Sequence, residues 1–242
     1  MLNSHRFKPQ PLTTLIYICL LTALLCLGQW QLSRAEQKRV LLDKQSHEQT
    51  KPAIKLSAAP MNALPALRYQ AVQLKGHYDG AHSFLLDNQI SAGKVGYFVL
   101  TPFIDDNAGV AVLINRGWVQ GNAQRNQLPQ VPVDTQPRQL NARLNAFPSV
   151  GIIIDGAQIP SANWPSVLQV INEAQVAKKL GYAIMPFQLE LNPNEPDGFK
   201  RDWQTNTLMP PQQHLAYAMQ WFALALTLSA LFIRYSFKKI TP

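Results

Sequence analysis

The chain has 242 residues, 47% of them apolar and 15% charged, and 22 Lys and Arg against 14 Asp and Glu give a formal charge of +8. That balance leaves room for one core of ordinary size beside membrane segments of about 20 residues each, and argues against a soluble enzyme for acidic substrates. The basic excess gathers into no run longer than Lys38-Arg39 or Lys238-Lys239, so nucleic acid is not an expected partner.

No Asp, Glu, Lys or Arg occurs from Pro9 to Ser33, and ten residues between Leu12 and Leu32 are Leu or Ile. At the bilayer centre these supply about −3 to −6 kcal/mol for insertion, which predicts a first transmembrane helix over residues 12–32. The run ends in Gly28-Gln29-Trp30-Gln31-Leu32 with no small-x-small cleavage site, and Leu25 before Cys26 does not suit a lipoprotein, so the segment reads as a retained anchor. Cys19 and Cys26, seven apart on one helix face, read as small buried apolar side chains. The rest of the chain has no cysteine, hence no disulfide and no thiolate metal site.

Residues 33–213 read as one extracytoplasmic domain with a linker. A helical continuation from Ala35 to Gln49 is followed by a stretch broken at Pro52, Pro60 and Pro65. Strand patterns follow at Tyr69–Leu74, Ser83–Asn88, Val95–Ile104, Val110–Asn115, Gln139–Asn145, Ser166–Ile171 and Tyr182–Leu191. Asp105-Asp106-Asn107-Ala108-Gly109 is a turn signal, which makes Val95–Trp118 a hairpin and its two Asp solvated loop residues. Asn172 as cap, Gln175 at the capping-box position and Gly181 as terminator bracket one short helix. The connector from Ile152 to Trp164 matches no pattern. The domain is predicted to be mainly antiparallel β, a small barrel or a sandwich, so the whole is an α+β membrane protein.

A second span is predicted over residues 214–233, followed directly by Arg234, Lys238 and Lys239. That basic tail, 234–242, reads as cytoplasmic. Two spans then put residues 1–11 on the same side. Arg34, Lys38, Arg39 and Lys44 beyond the first span outnumber Arg6 and Lys8 before it, which argues the other way. Long loops translocate largely regardless of charge, so the second helix decides.

No Gly-rich phosphate loop, Gly-x-Ser-x-Gly elbow or His-Glu-x-x-His helix occurs, so catalysis is not expected. His77 and His82 flank Asp79 closely enough to suggest a metal site, although surface histidines are the commoner reading. Asn115-Arg116-Gly117-Trp118-Val119 reads as a strand end whose Gly permits an unusual backbone angle and whose Trp packs inward. The alternative is an Arg116 and Trp118 offered to an anion or a partner carboxylate. At about 1.5 Å per residue, Arg34 and His214 reach the same outer boundary of the two spans. Trp30 and Arg34 share one helix face there; His214, Tyr217 and Trp221 share another. An aromatic belt accounts for the aromatics, but not for His214, Gln31 or Gln220.

In these same residues the chain resembles the surfeit locus protein 1 family, assembly factors of haem-copper oxidases. The resemblance rests on Leu27 to Arg34 with Lys38, Gly96-Tyr97, Thr101-Pro102, Val112 to Val119, and Pro211 with His214 to Phe222, in that order around two membrane helices. It implies a multi-pass protein of the bacterial inner membrane with its domain in the periplasm, helping the oxidase catalytic subunit mature by holding or delivering haem a. Haem a synthase is a further expected partner, besides membrane lipid. His214 would be the axial ligand, with no other metal ligand; Tyr217, Trp221, Trp30 and Arg34 would line the cofactor, and Arg116, Trp118, Gln31 and Gln220 would serve partner contacts. A cofactor-free scaffold for oxidase subunits and a membrane-tethered sensor or solute-binding domain are the competing readings.

Overall fold

The computed structural model describes residues 5–56, 64–106, 110–122, 127–148, 155–203 and 209–239. In chain order its elements are β1 (His5–Phe7), α1 (Pro11–Thr50), β2 (Ile54–Lys55), α2 (Leu64–Leu67), β3 (Ala71–Tyr78), β4 (Phe84–Ser91), β5 (Lys94–Asp105) and β6 (Ala111–Gln120). Then come β7 (Arg138–Asn145), β8 (Ser166–Leu168), α3 (Glu173–Leu180), β9 (Ile184–Leu191), α4 (Pro211–Ser236) and β10 (Phe237–Lys239). They form two compact units, Met1–Lys44 with Thr205–Pro242, and Gln45–Gln204.

The first unit is an antiparallel pair of helices, α1 and α4, both long and apolar enough to cross a membrane. The expected continuation from Ala35 belongs to the same unbroken helix as the span, because no Gly or Pro interrupts the run after Gly28 until Pro52. Buried positions recur at three-, four- and seven-residue steps, Gly28, Gln31 and Ala35 on α1 and His214, Ala218 and Ala225 on α4. That spacing is the seam of a left-handed helix pair. Small residues let the backbones approach: a methyl group on Gly28 would stand 2.6 Å from the Phe222 ring. Farther along, Tyr17 donates to Ser229 Oγ at 3.0 Å and stacks on Phe232. Beyond that end β1 and β10 pair antiparallel, His5 opposite Lys239, a ladder that hydropathy patterning did not signal. Cys19 and Cys26 are exposed on the helix surface and not buried within protein, because the seam runs along the other face.

The second unit is a closed barrel. β3, β7, β9, β6 and β5 follow one another around it, and β3 pairs with β5 to close the ring. Four of the five ring pairings are antiparallel; β6 and β9 run parallel. Closure removes the open edges that a flat five-stranded sheet would leave. β4 and then β8 extend the sheet from β5, and β2 adds to β3. The barrel interior is filled by inward residues of alternating strands, among them Val72, Leu74, Phe103, Ile114, Leu140, Phe187 and Leu189. A second apolar layer lies between the outer face of β4, β5 and β6 and the buried Val176 and Leu180 of α3.

Each predicted strand exists, with shifted ends: β3 runs on to Tyr78, β6 to Gln120, and β8 stops at Leu168. α3 is capped as expected, Asn172 Oδ1 accepting from Gln175 N, and Gly181 takes the left-handed conformation at φ 82°. The turn at 107–109 and the start of the connector at Ile152 lie outside the described residues. A further expectation is corrected: Asp105 is not a solvated loop residue but the last residue of β5, 2% exposed, because it pairs with Gly76 where the barrel closes.

Candidate functional site

α4 starts sharply because Pro210 and Pro211 can open a helix but not continue one backwards; Pro211 occupies its first position. His214 therefore sits in the first turn, on the seam side. Its Nδ1 lies 2.7 Å from the Oε1 of Gln31 on α1, and both side chains are buried, at 5% and 8% exposure. An amide oxygen only accepts, so the proton of a neutral imidazole resides on Nδ1 and the Nε2 lone pair is left for another acceptor role. Two polar groups buried in an apolar seam thus satisfy each other, and the pair fixes the level of α4 against α1.

The other residues predicted at this boundary lie elsewhere on the helices. Trp30 and Tyr217 are 54% and 44% exposed, on the outer surface, as aromatic-belt residues are. Arg34 is exposed and donates to Gln37 one turn on; Gln220 is exposed and Trp221 half-buried. The structure brings Gln31 together with His214, a pairing that face-counting on single helices did not reveal.

In the barrel, Arg116 is the largest fully buried side chain, 1% exposed. Its Nε donates to Asp197 O, Nη1 to Val131 O and Thr101 Oγ1, and Nη2 to Pro132 O. Burial lowers its pKa, opposed by Tyr78 and Asp197. The guanidinium is spent inside the protein, tying β6 to the segment before β7 and to the one after β9. Of the two sequence readings, local packing is the one this geometry matches. Tyr78, in cation–π range at 5.9 Å, has a hydroxyl with no hydrogen-bond partner among the described residues, and burial raises its pKa. Gly117 adopts φ 113°, and Trp118 then exchanges backbone hydrogen bonds with Lys200.

His82 does meet Asp79, but as a hydrogen-bonded pair: its Nδ1 stands 2.6 Å from Asp79 Oδ2, which also accepts from Tyr182 OH at 2.6 Å. His77 faces Asp106 instead. Among the described residues no cluster of three or more His, Cys, Asp or Glu could hold a metal ion. Burial, then the Asp79 hydrogen bond, raises the Tyr182 pKa. Two further constellations escaped the sequence reading: Trp164 between His82 and Phe84, and the part-buried ion pair of Arg143 with Glu190. Their members are far apart in sequence, and no local spacing marks them.

The model of the SURF1 family matches residues 18–226, which spans the boundary pair, the barrel and most of both helices. This chain belongs to the SURF1 family. A SURF1-like protein of Rickettsia felis is 28% identical over 240 residues, covering 92% of this chain and 96% of the relative. Surfeit locus protein 1 of Rattus norvegicus is 26% identical over 236 residues, 89% of this chain and 72% of the relative. A shorter match, 34% over 97 residues, 38% of this chain and 24% of the relative, is to a Saccharomyces cerevisiae protein named cytochrome oxidase assembly protein SHY1. The resemblance read from the motifs is thus confirmed at the level of the family, and the bacterial relatives and two apolar helices accord with an inner-membrane SURF1 protein.

Proposed function

We propose that this SURF1 family chain is an assembly factor for a haem-copper oxidase, which holds haem a as cargo for the oxidase catalytic subunit and performs no catalysis itself. Its domain would lie in the periplasm and both termini in the cytoplasm. The observation that supports a haem site is the contact between Gln31 and His214. A metal-binding imidazole commonly gives its second N–H to a carbonyl, which fixes the tautomer and raises the basicity of the ligating nitrogen. Gln31 supplies that carbonyl, so the donor chemistry fits an axial ligand. Haem a would bring the redox-active iron that the client needs.

The chain's own residues would do the rest. His214 is covered in the present packing, so a macrocycle reaches Nε2 only when the first turn of α4 gives way. Tyr217 and Trp221 offer apolar surface on the same helix, Trp30 and Arg34 on α1, the last with a guanidinium suited to a propionate. The scaffold reading is supported by the same burial, since Gln31 and His214 satisfy each other without cargo.

Deletion of the protein in its bacterial host tests the assembly role. Haem-copper oxidase activity is expected to fall more than membrane haem b, and to return with the wild-type gene. Unchanged oxidase activity in a strain with no second family member would overturn the proposal.

A further inference from the structure

Where β3 and β7 pair outside the barrel core, a cavity of about 430 Å³ is lined by Tyr69, Ala71, Arg143, Glu190, Trp203 and Gln45, among others. That is within the size range of small-molecule sites, roughly 300–1,000 Å³. Its walls are fixed. Arg143 Nε donates to Glu190 Oε2 at 2.7 Å, and Nη2 to Trp203 O at 2.9 Å. Asn145 occupies the other Glu190 oxygen, and the Trp203 indole donates to Leu191 O. Gln45 Nε2 reaches the same Trp203 carbonyl at 3.4 Å. Tyr69 holds a left-handed backbone at φ 76°, costly for a bulky residue, and is anchored by its N–H on Leu144 O. Strain of this kind persists where surrounding structure over-determines it, often at ligand clamps.

Arg143, paired with Glu190, is the cation of the cavity lining, and Arg68, which lies outside the lining, stands nearby over the Tyr69 ring at 4.8 Å, with Arg143 at 5.6 Å from the same ring. Among the described residues nothing accepts from Arg143 Nη1. A rigid guanidinium with an unused N–H beside the half-buried Trp203 and the small Ala71, above the buried Tyr69, suits one kind of occupant, an apolar planar body that carries a carboxylate.

We infer that this cavity is a binding site for a small carboxylate-bearing aromatic molecule, held by Arg143 at its anionic end and by Trp203 along its plane. The site goes beyond the assembly role and does not depend on it. Equilibrium dialysis of the full-length protein in lipid nanodiscs, with empty nanodiscs as reference, tests it using 2-naphthoate, neutral 2-naphthalenemethanol and ringless acetate. The protein should bind 2-naphthoate at one site, and the neutral alcohol about tenfold more weakly, the factor for one charge-assisted hydrogen bond. Arg143→Gln should remove that preference for the anion. Because that change also strips Glu190 of its cationic partner, Ala71→Leu serves as a second variant, which fills the cavity and leaves the ion pair alone; it should weaken 2-naphthoate by a similar factor. Binding no better than to empty nanodiscs, equal binding of acid and alcohol, or undiminished binding by a folded Ala71→Leu protein would each overturn the assignment.

Discussion

Gly96 on β5 lies directly beneath the indole of Trp118 on β6: a Cβ at Gly96 would meet ring atoms at 2.7 Å and the Val119 carbonyl at 2.2 Å. The indole N–H reaches on to Gln89 O at 2.8 Å, on the neighbouring β4. Two motifs distant in the sequence, Gly96-Tyr97 and Arg116-Gly117-Trp118, are therefore one packing unit across three strands. Gly96→Ala should destabilise the domain by about 3 kcal/mol, since overpacking here presses on backbone. Trp118→Phe, which keeps a ring and loses the hydrogen bond, should cost about 1 kcal/mol. Denaturant unfolding of each variant measures both, and a Gly96→Ala protein as stable as wild type would contradict the close approach.

Arg116→Ala should cost more than about 3 kcal/mol, because it leaves three carbonyls and the Thr101 hydroxyl without their donor. Arg116→Lys should not rescue it, since an ammonium cannot reproduce the planar fork. The amount of protein in the membrane and the unfolding midpoint are the readouts. Normal accumulation and stability of Arg116→Ala would refute the structural role.

Burial opposes the Asp79 carboxylate, but hydrogen bonds from Tyr182 and His82, the charge of His82 and the backbone at Ala81 outweigh it, so its pKa is lowered. A depressed carboxylate contributes stability that is present above the ordinary Asp range and is lost as pH falls through the lowered value. Asp79→Asn should thus flatten the acid side of the stability profile, measured by denaturation from neutral to acid pH. Parallel profiles for the two proteins would show that Asp79 contributes nothing there.

The helix seam is tested by its closest approach. With Cys19 and Cys26 replaced by Ser, the pair Tyr17→Cys and Ser229→Cys should be joined by a short bifunctional thiol reagent, because the Tyr17 hydroxyl reaches Ser229 Oγ at 3.0 Å and a linker must stand in for the phenol that cysteine lacks. Gly28→Leu, which drives a side chain into Phe222, should suppress the cross-link, and Phe222→Ala should restore it. Cross-linking indifferent to Gly28→Leu would mean that the helices do not meet along this seam.

Local chemistry explains what could be read in advance. The apolar run from Leu12, the Asn172 and Gly181 caps, and the alternation along β5 and β6 each act within a few residues, and each element formed as expected. Pairings that close space over long sequence separations left no such trace. The parallel match of β6 with β9, the β3–β5 closure that buries Asp105, and the placing of Arg116 among carbonyls of two segments all depend on barrel geometry. At the boundary, counting faces on each helix grouped His214 with Tyr217 and Trp221. The seam is set instead by Gly28 and Ala218, which turn His214 toward Gln31 and leave Tyr217 outside.

Whether His214 holds haem a is read from the optical spectrum of the protein purified from cells that make haem a, wild type beside His214→Ala, both shown to be membrane-inserted. Wild type should carry haem a absorbance and His214→Ala should lose it, while Gln31→Ala, which frees the tautomer without removing the ligand, should retain a weakened signal. A full haem spectrum in His214→Ala, or none in the wild type, would contradict the assignment and leave the cofactor-free scaffold standing.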